Sequence, residues 1–446
     1  MNKKFSLMYN NKKRKTMKRF IDTTMIALIL VTVFSLFSAS AAAGAEINTQ
    51  DPQSFVTVRG KIVDFESGDP LIFATIAVKG TNIATVSNMD GEFLLKINEK
   101  IDDPYIEVTH VGYRNKEIPL VNMSAGEENI IDMRPATIPI AEVTIKPVSA
   151  AEVVEKVIRN IGDNYPEKPN LMTGFYRETI KKNRNYVSIA EAVVEVFKAP
   201  YNSEFRFDAA RIYKGRKNIE TSRIDTVLFR LQGGPVSTMQ LDLAKNPYNI
   251  LTLDDMESYE YSLNDIIVID EKNHYVIEFA QRGDVDLPLF LGKLFVDMDT
   301  YAITEAEFSV NLEDKDRAAS IFIRKKPFGM RITPEMASYR VKYRESGGKY
   351  YFTYSRAEVE FKVNWRKKLF NKTYTTMSEI AITDRTEEEV VKFTSRERIR
   401  KGDIFTEELT AFSDPDFWGD YNVIEPDQSI ESAIRKLNRR LRWDER

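Results

Sequence analysis

Apolar and polar side chains alternate in short runs between residues 55 and 147, and turn residues break the runs at close spacing, which predicts a β-sandwich. The expected strands are 55–63, 72–79, 92–98, 105–111, 118–121, 129–133 and 142–145. Ser67-Gly68-Asp69-Pro70 and Asn88-Met89-Asp90-Gly91 supply turns between them. In 92–98, Phe93, Leu95 and Ile97 share one face and Glu92 and Lys96 the other. A helix follows: Ser149 and Glu152 have capping-box spacing, Val153, Val154, Val157, Ile158 and Ile161 recur with the helical period, and Gly162 stops it ahead of Pro166. From Phe175 to Thr383 strand-like alternation returns, with expected strands at 186–197, 275–279, 294–298, 303–310, 320–323, 338–343 and 350–363. In the last of these the apolar parity switches from Tyr350, Phe352 and Tyr354 to Ala357, Val359, Phe361 and Val363, which predicts a bulge near Ser355-Arg356. The pattern as a whole predicts a mainly β protein: a sandwich, a linker helix at 148–168, a large curved antiparallel β domain at 169–425, and a few helices.

Near the end, Ile430, Ile434, Leu437 and Leu441 recur at helical spacing, giving an amphipathic helix in 426–446 whose other face carries Arg435, Lys436, Arg439, Arg440 and Arg442. Two readings stay open. The apolar stripe docks on the body and leaves a solvated basic face, or the helix lies on anionic lipid or an acidic partner.

Residues 1–45 read as an address. Lys3 to Arg19 is basic, Ile26 to Phe37 is almost purely apolar, and Ala41-Ala42-Ala43 and Ala43-Gly44-Ala45 fit a small-x-small cleavage site, making Ala43 and Ala45 the candidate cleavage residues. Thr23 to Ala45 is also long enough to stay as an uncleaved anchor, but it fades into Ser and Ala rather than ending in a charge cluster. Either outcome exports the body to the periplasm or the outer membrane.

The charge balance divides the same way. The whole chain is −3, yet residues 1–45 hold eight Lys/Arg and one acid, so the body from Glu46 carries 56 basic against 66 acidic residues. An acidic body argues against a nucleic-acid partner. There is no cysteine, which removes disulfides, thiolate zinc sites, iron–sulfur clusters, cysteine nucleophiles and a lipoprotein anchor together.

The segments Val58-Arg59-Gly60-Lys61-Ile62-Val63-Asp64, Gly68-Asp69-Pro70-Leu71, Ala74-Thr75-Ile76-Ala77-Val78-Lys79-Gly80-Thr81, Asp90-Gly91-Glu92-Phe93 and Val111-Gly112-Tyr113-Arg114 resemble the carboxypeptidase-regulatory-like domain of Bacteroidota envelope proteins. The resemblance implies a prealbumin-like, Ig-like seven-stranded sandwich over 55–147, of the kind found ahead of TonB-dependent receptors. Gly174-Phe175-Tyr176-Arg177-Glu178, Glu191 to Glu195, Gly233-Gly234-Pro235 and Phe417-Trp418 with Tyr421-Asn422 resemble larger exported proteins with the same sandwich. The hairpin Leu294 to Ala306, turning at Asp299, resembles one in periplasmic lipoprotein carriers, which implies an incomplete barrel that shelters acyl chains.

Catalytic signatures are sparse. Only His110 and His274 are present, and neither opens a His-x-x-Glu motif. His274 and Glu278 sit on a predicted strand, where i and i+4 lie about 13 Å apart, too far to share a metal. Both histidines therefore read as structural. Asp297 and Asp299 read as turn formers, and Asn311 to Asp316 as a solvated hairpin tip rather than a calcium loop. There is no Gly-x-Ser-x-Gly elbow and no phosphate-cradling loop. The expectation is a non-catalytic envelope binding or assembly protein without cofactor or metal, whose partner is an envelope protein, lipid or glycan, with peripheral contact to the outer membrane. A lipid or lipoprotein carrier is the alternative. A hydrolase using paired carboxylates, such as Glu178 or Asp255, is the second alternative.

Overall fold

A computed structural model describes residues 55–98, 100–124, 127–136, 148–202, 207–219, 231–247, 250–323, 328–365, 371–411 and 417–435. The leader, with Ala43 and Ala45, lies outside them, as do the expected strand 142–145 and the basic residues Lys436, Arg439, Arg440 and Arg442.

The first strands are β1 (Phe55–Asp64), β2 (Thr75–Val78), β3 (Ala84–Val86), β4 (Glu92–Asn98), β5 (Tyr105–Thr109), β6 (Lys116–Pro119) and β7 (Glu128–Met133). They form two sheets of order β4-β1-β7 and β3-β2-β5-β6, with β1 and β7 parallel. Val58, Ile62, Ile76, Phe93, Leu95 and Ile97 fill the space between the sheets. Six of the expected sandwich strands are found; β3, too short for alternation to reveal, is not among those expected, and the expected strand 142–145 lies outside the described residues. Gly91 has φ +77°, and a Cβ there would lie 2.7 Å from the Ile62 carbonyl oxygen, so the turn into β4 requires glycine. The expected strand 72–79 begins only at Thr75, because Phe73 adopts φ +59° and breaks the extended run.

Helix α1 (Ala150–Asn164) buries Val153, Val154 and Val157. The capping box does not form: Ser149 is the N-cap residue without a side-chain cap hydrogen bond, and its carbonyl accepts from the Val153 amide instead. Gly162 does not stop the helix, which runs to Asn164. Tyr165 ends it by entering the core, its hydroxyl donating to the Ile303 carbonyl at 3.0 Å.

The large sheet comprises β8 (Asn170–Lys182), β9 (Asn185–Lys198), β10 (Ala209–Ile219), β11 (Tyr259–Ile269), β12 (Lys272–Gln281), β13 (Phe290–Asp297), β14 (Ile303–Val310), β15 (Met330–Ser346), β16 (Lys349–Trp365), β17 (Lys372–Thr386) and β18 (Thr410–Ala411). Their order is β11-β12-β13-β14-β15-β16-β17-β8-β9-β10-β18, antiparallel except for the two-residue β10–β18 pair. The two edges, β11 and β18, stay apart, so among the described strands the sheet is open. The expected fold class, mainly β with few helices, is the one found.

Adjacent residues on a strand point to opposite faces, and the two faces of this sheet carry different loads. One face is covered by α1, by helix α2 (Gly234–Met239), by the chain at 240–247 and 250–258 and by the turn Phe405–Glu408. There Val157, Met239, Leu251 and Phe405 pack on Tyr176, Val194, Leu294 and Phe352. The opposite face receives the sandwich and residues 417–424, through Phe73, Val86, Trp418 and Ile424 against Phe175, Val193, Tyr354 and Ala381. The described residues from Phe55 onward thereby form one compact unit.

Two local readings are corrected. The β16 bulge sits at Thr353 rather than at Ser355-Arg356, since Lys342 pairs with Tyr354 while Tyr343 pairs with Phe352. It turns Tyr354 towards the sandwich and keeps Phe352, Phe361 and Val363 on the other face. The stretch 320–323 is not a strand. It ends helix α3 (Lys315–Phe322), which starts where the Asp314 side chain accepts from the Arg317 amide, so Asn311 to Asp316 leads into a helix rather than forming a hairpin tip.

Phe405 is fully buried and meets the Tyr176 ring edge-on at 4.7 Å. Phe405→Ala should lower stability by about 3–5 kcal/mol in urea unfolding; a loss below about 1 kcal/mol would mean the cover over this face collapses into the gap.

Candidate functional site

Three cavities lie along the seam between sandwich and sheet. The largest, about 210 Å³, is lined by Phe73 and Asp90 from the sandwich, Arg177, Arg356 and Glu379 from the sheet, and Asp427 from the C-terminal segment. The second, about 50 Å³, contains both histidines together with Asp297, Glu305 and Lys342. The third, about 30 Å³, lies between Thr85 and Arg385. The first two have linings about half polar, and the third, walled by Ala84, Val86, Phe352 and Ile382, is more apolar but holds little more than one water.

Buried ions build the walls. Lys342 on β15 donates to the Phe73 carbonyl at 2.6 Å and lies 3.3 Å from Glu305, which also takes Arg340 at 2.7 Å. Burial pushes the Lys342 ammonium below its ordinary range. The Phe73 ring lies against Tyr354 at 5.5 Å with the planes tilted by 32°, and carries the Arg340 and Arg356 guanidinium groups at 5.1 and 5.4 Å. Further along, Arg177 is 1% exposed and donates to Glu191 at 2.8 Å, Glu379 at 3.3 Å and the Ile424 carbonyl at 2.7 Å. Glu379 also accepts from Arg356 and Tyr354, and Glu191 from Arg216. These charges are mutually compensated, which suits a structural weld.

The histidines converge on one cavity but do not form a reactive pair. His110 contacts the Val111 and Ile72 carbonyls at 3.1 and 3.2 Å, and burial holds its pKa down at about 4. His274 contacts the Lys272 carbonyl at 2.9 Å, its pKa is lowered by burial, and its Nε2 has no hydrogen-bond partner. No group of three His, Asp or Glu residues among the described residues could hold a metal. Asp297 is a turn former, accepting from the Asp299 and Thr300 amides at 2.9 Å and from the Tyr350 hydroxyl at 2.8 Å.

The two carboxyls singled out from sequence have separate roles. Asp255 caps a turn through Thr252. Glu178 is buried on the α2 side of the sheet, where it accepts from the Tyr176 hydroxyl at 2.8 Å, and desolvation pushes its pKa up to about 8. A second buried centre was not anticipated: Lys198 donates to Asp208 and Asp242, each at 2.6 Å, and Tyr201 and Tyr343 also donate to Asp242. The C-terminal helix occupies 428–435 within the described residues. Ile430 packs on Ile189 with Tyr186 and Ile434 beside it, so these two stripe residues dock on the body, while exposed Arg435 pairs with Glu431 at 2.8 Å; Leu437 and Leu441 lie outside the described residues.

Comparison with known proteins places the sandwich. Residues 58–145 match the CarboxypepD_reg-like domain family. A 76-residue stretch is 34% identical to the TonB-dependent receptor SusC of Bacteroides thetaiotaomicron, covering 17% of this chain and 7% of the receptor. The chain thus spans less than a tenth of that relative. Among solved structures, a DUF1329 family protein from Desulfovibrio piger is similar at TM-score 0.24 and 12% identity, covering 55% of this chain and 95% of that one. A domain described as an outer membrane lipoprotein-sorting protein, from Vibrio parahaemolyticus, has TM-score 0.24 and 9% identity, with 55% and 95% coverage. At that score these likenesses carry no functional weight. The N-terminal sandwich is a CarboxypepD_reg-like domain, and no helix among the described residues is long and apolar enough to cross a membrane.

Arg177→Ala strands Glu191 and Glu379 without their shared cation and should destabilise the protein by about 3–5 kcal/mol in denaturant unfolding. Wild-type resistance would show that water replaces the guanidinium. Glu178 gives a pH test. Its folded pKa of about 8 lies above the ordinary 4.5, so the unfolded chain ionises first and stability falls as pH rises between those values. Glu178→Gln should match wild-type Tm near the lower value and exceed it near the upper one. Parallel Tm curves would refute a protonated Glu178.

Proposed function

We propose that this chain is a non-catalytic binding and assembly component of a bacterial cell envelope, exported by its leader to the periplasm or outer membrane. The supporting observation is the seam itself. Its ionisable groups are engaged in joining a CarboxypepD_reg-like sandwich to the sheet, through Lys342, Arg177 and their carboxylates and carbonyls, and the cavities beside them are small. The sandwich is in this reading a fixed arm of the body, able to present β6 and the exposed residues Val121 and Ile130 to an envelope partner. The division of the chain into leader 1–45, sandwich 55–147, helix 148–168, sheet domain 169–425 and terminal helix 426–446 is part of the proposal, as is a Bacteroidota origin.

One observation favours a second reading, a lipid or lipoprotein carrier. The eleven-stranded sheet stays open, and one face is covered by α1, α2 and irregular chain rather than by a second sheet. An acyl chain would lodge where these elements now pack, after they moved aside.

A single preparation separates the readings. The protein purified from native envelopes is examined by mass spectrometry, intact and after organic extraction. A stoichiometric envelope protein supports assembly, and stoichiometric fatty-acyl species support the carrier. Recovery of neither protein, lipid nor glycan removes the support for both.

A further inference from the structure

The largest cavity of the seam, about 210 Å³, is enclosed by three parts of the chain. Its floor is sheet. Lys181 pairs with Thr375, Thr179 with Met377 and Arg177 with Glu379, and alternation along β8 and β17 puts all six on the face towards the sandwich. Asp90, in the turn before β4, lines it from the sandwich, and Asp427 from the C-terminal segment. The Asp90 carboxylate accepts from the Gln428 amide at 2.7 Å, which ties these two walls together. Met89, 44% exposed, marks where the cavity meets solvent.

The lining carries three cations, Arg177, Lys181 and Arg356, against four carboxylates, Asp90, Glu358, Glu379 and Asp427. Much of this charge is already matched. Arg356 donates to Glu379 at 3.1 Å and to Glu358 at 2.8 Å, and the Lys181 ammonium rests over the Tyr186 ring at 4.5 Å. An anion would meet the four carboxylates and a cation the three bases, so the cavity favours a ligand without net charge. It also favours one that donates and accepts in turn, because cationic N–H groups and carboxylate oxygens sit side by side across the floor, and hydroxyl groups do both. Thr179, 2% exposed, adds a hydroxyl to the lining, and Met377, Ile424 and Ile430 supply an apolar strip for carbon-bound hydrogens.

We propose that this cavity binds a small neutral polyhydroxylated molecule, a single sugar ring. Its volume of about 210 Å³ lies below the roughly 300–1,000 Å³ of pockets for drug-sized ligands, which suits one ring rather than a chain. In the bound state Glu358 and Asp427 accept from ring hydroxyls, Arg356 and Lys181 donate to them, and Met377 packs on the ring's apolar face. The ligand touches sandwich, sheet and C-terminal segment at once, so binding holds the three together. The site does not rest on the assembly or carrier reading: what copurifies from native envelopes tests those, and titration of the purified chain tests this one.

The full chain is titrated calorimetrically with glucose, galactose, mannose and N-acetylglucosamine, and with sodium phosphate and glycine as charged probes. The expected result is one-to-one binding of at least one of the four sugars, with a rise in Tm, and no binding of phosphate or glycine. Thr179→Val keeps the shape of the wall without its hydroxyl, and Glu358→Gln keeps it without the charge. Each should weaken the sugar by about fivefold or more, the worth of one hydrogen bond, while thermal unfolding without ligand matches wild type. Glu335→Gln, which removes only the exposed partner of Lys315, should bind like wild type. Three outcomes would overturn the proposal. Failure of all four sugars to bind removes the ligand class. Binding of phosphate or glycine in their place marks an ion site. Sugar affinity unchanged in both cavity variants puts the sugar elsewhere on the molecule.

Discussion

A lysine ammonium buried on a central strand needs acceptors, and Lys342 finds one outside its own sheet, in the carbonyl of Phe73. To present that carbonyl, Phe73 takes a left-handed backbone conformation, which for a bulky residue costs about 1–3 kcal/mol. The same kink drives the Phe73 ring onto Tyr354 and beneath the guanidinium groups of Arg340 and Arg356. Cation, carbonyl and ring fix how the sandwich meets the sheet. The remaining seam contacts extend from that point: Asn82 with Arg385, Thr85 with the Val423 carbonyl, Asn115 with Asp270 and Asn422 with the Lys96 backbone.

The sheet's two faces divide the work. The face towards α1 and α2 is mainly aliphatic and aromatic, and its buried polar groups, Glu178 and the Lys198–Asp242 pair, lie among tyrosine hydroxyls. The face towards the sandwich carries a relay of guanidinium and carboxylate groups from Arg216 through Glu191, Arg177 and Glu379 to Arg356. Hydrophobic contact is tolerant of sliding, whereas hydrogen-bonded ion pairs are directional, so the second face specifies position where the first supplies adhesion.

What was legible in the sequence was what is decided locally. Alternation located most of the sandwich strands, and the limits of β14 were read at both ends, because burying one face of a strand imposes period two. The parity switch in β16 announced a bulge but misplaced it, since the cross-strand partner of Tyr354 decides where the extra residue sits. Ser320 to Ile323 looked like a strand because four apolar-rich residues fit either period, and the Asp314 cap settled the matter. The candidate site was far less legible. Arg177, Lys198 and Lys342 are charged residues inside β-strands, and only their long-range partners show them to be buried.

Asn422 clasps both the amide and the carbonyl of Lys96 on the edge of β4, across 326 residues of chain. Such contacts are the slowest to form, because the intervening loop must close first. A chain synthesised from its N-terminus completes the strands of the sandwich long before residues 417–424 exist. Until that late segment arrives, the β4 edge at Lys96 has no cover. The sandwich is thus finished by nearly the last residues described, which ties its completion to synthesis of the chain as far as Asn422. A chain cut short before Phe417 would keep all seven sandwich strands and still present an unpaired β4 edge to its neighbours.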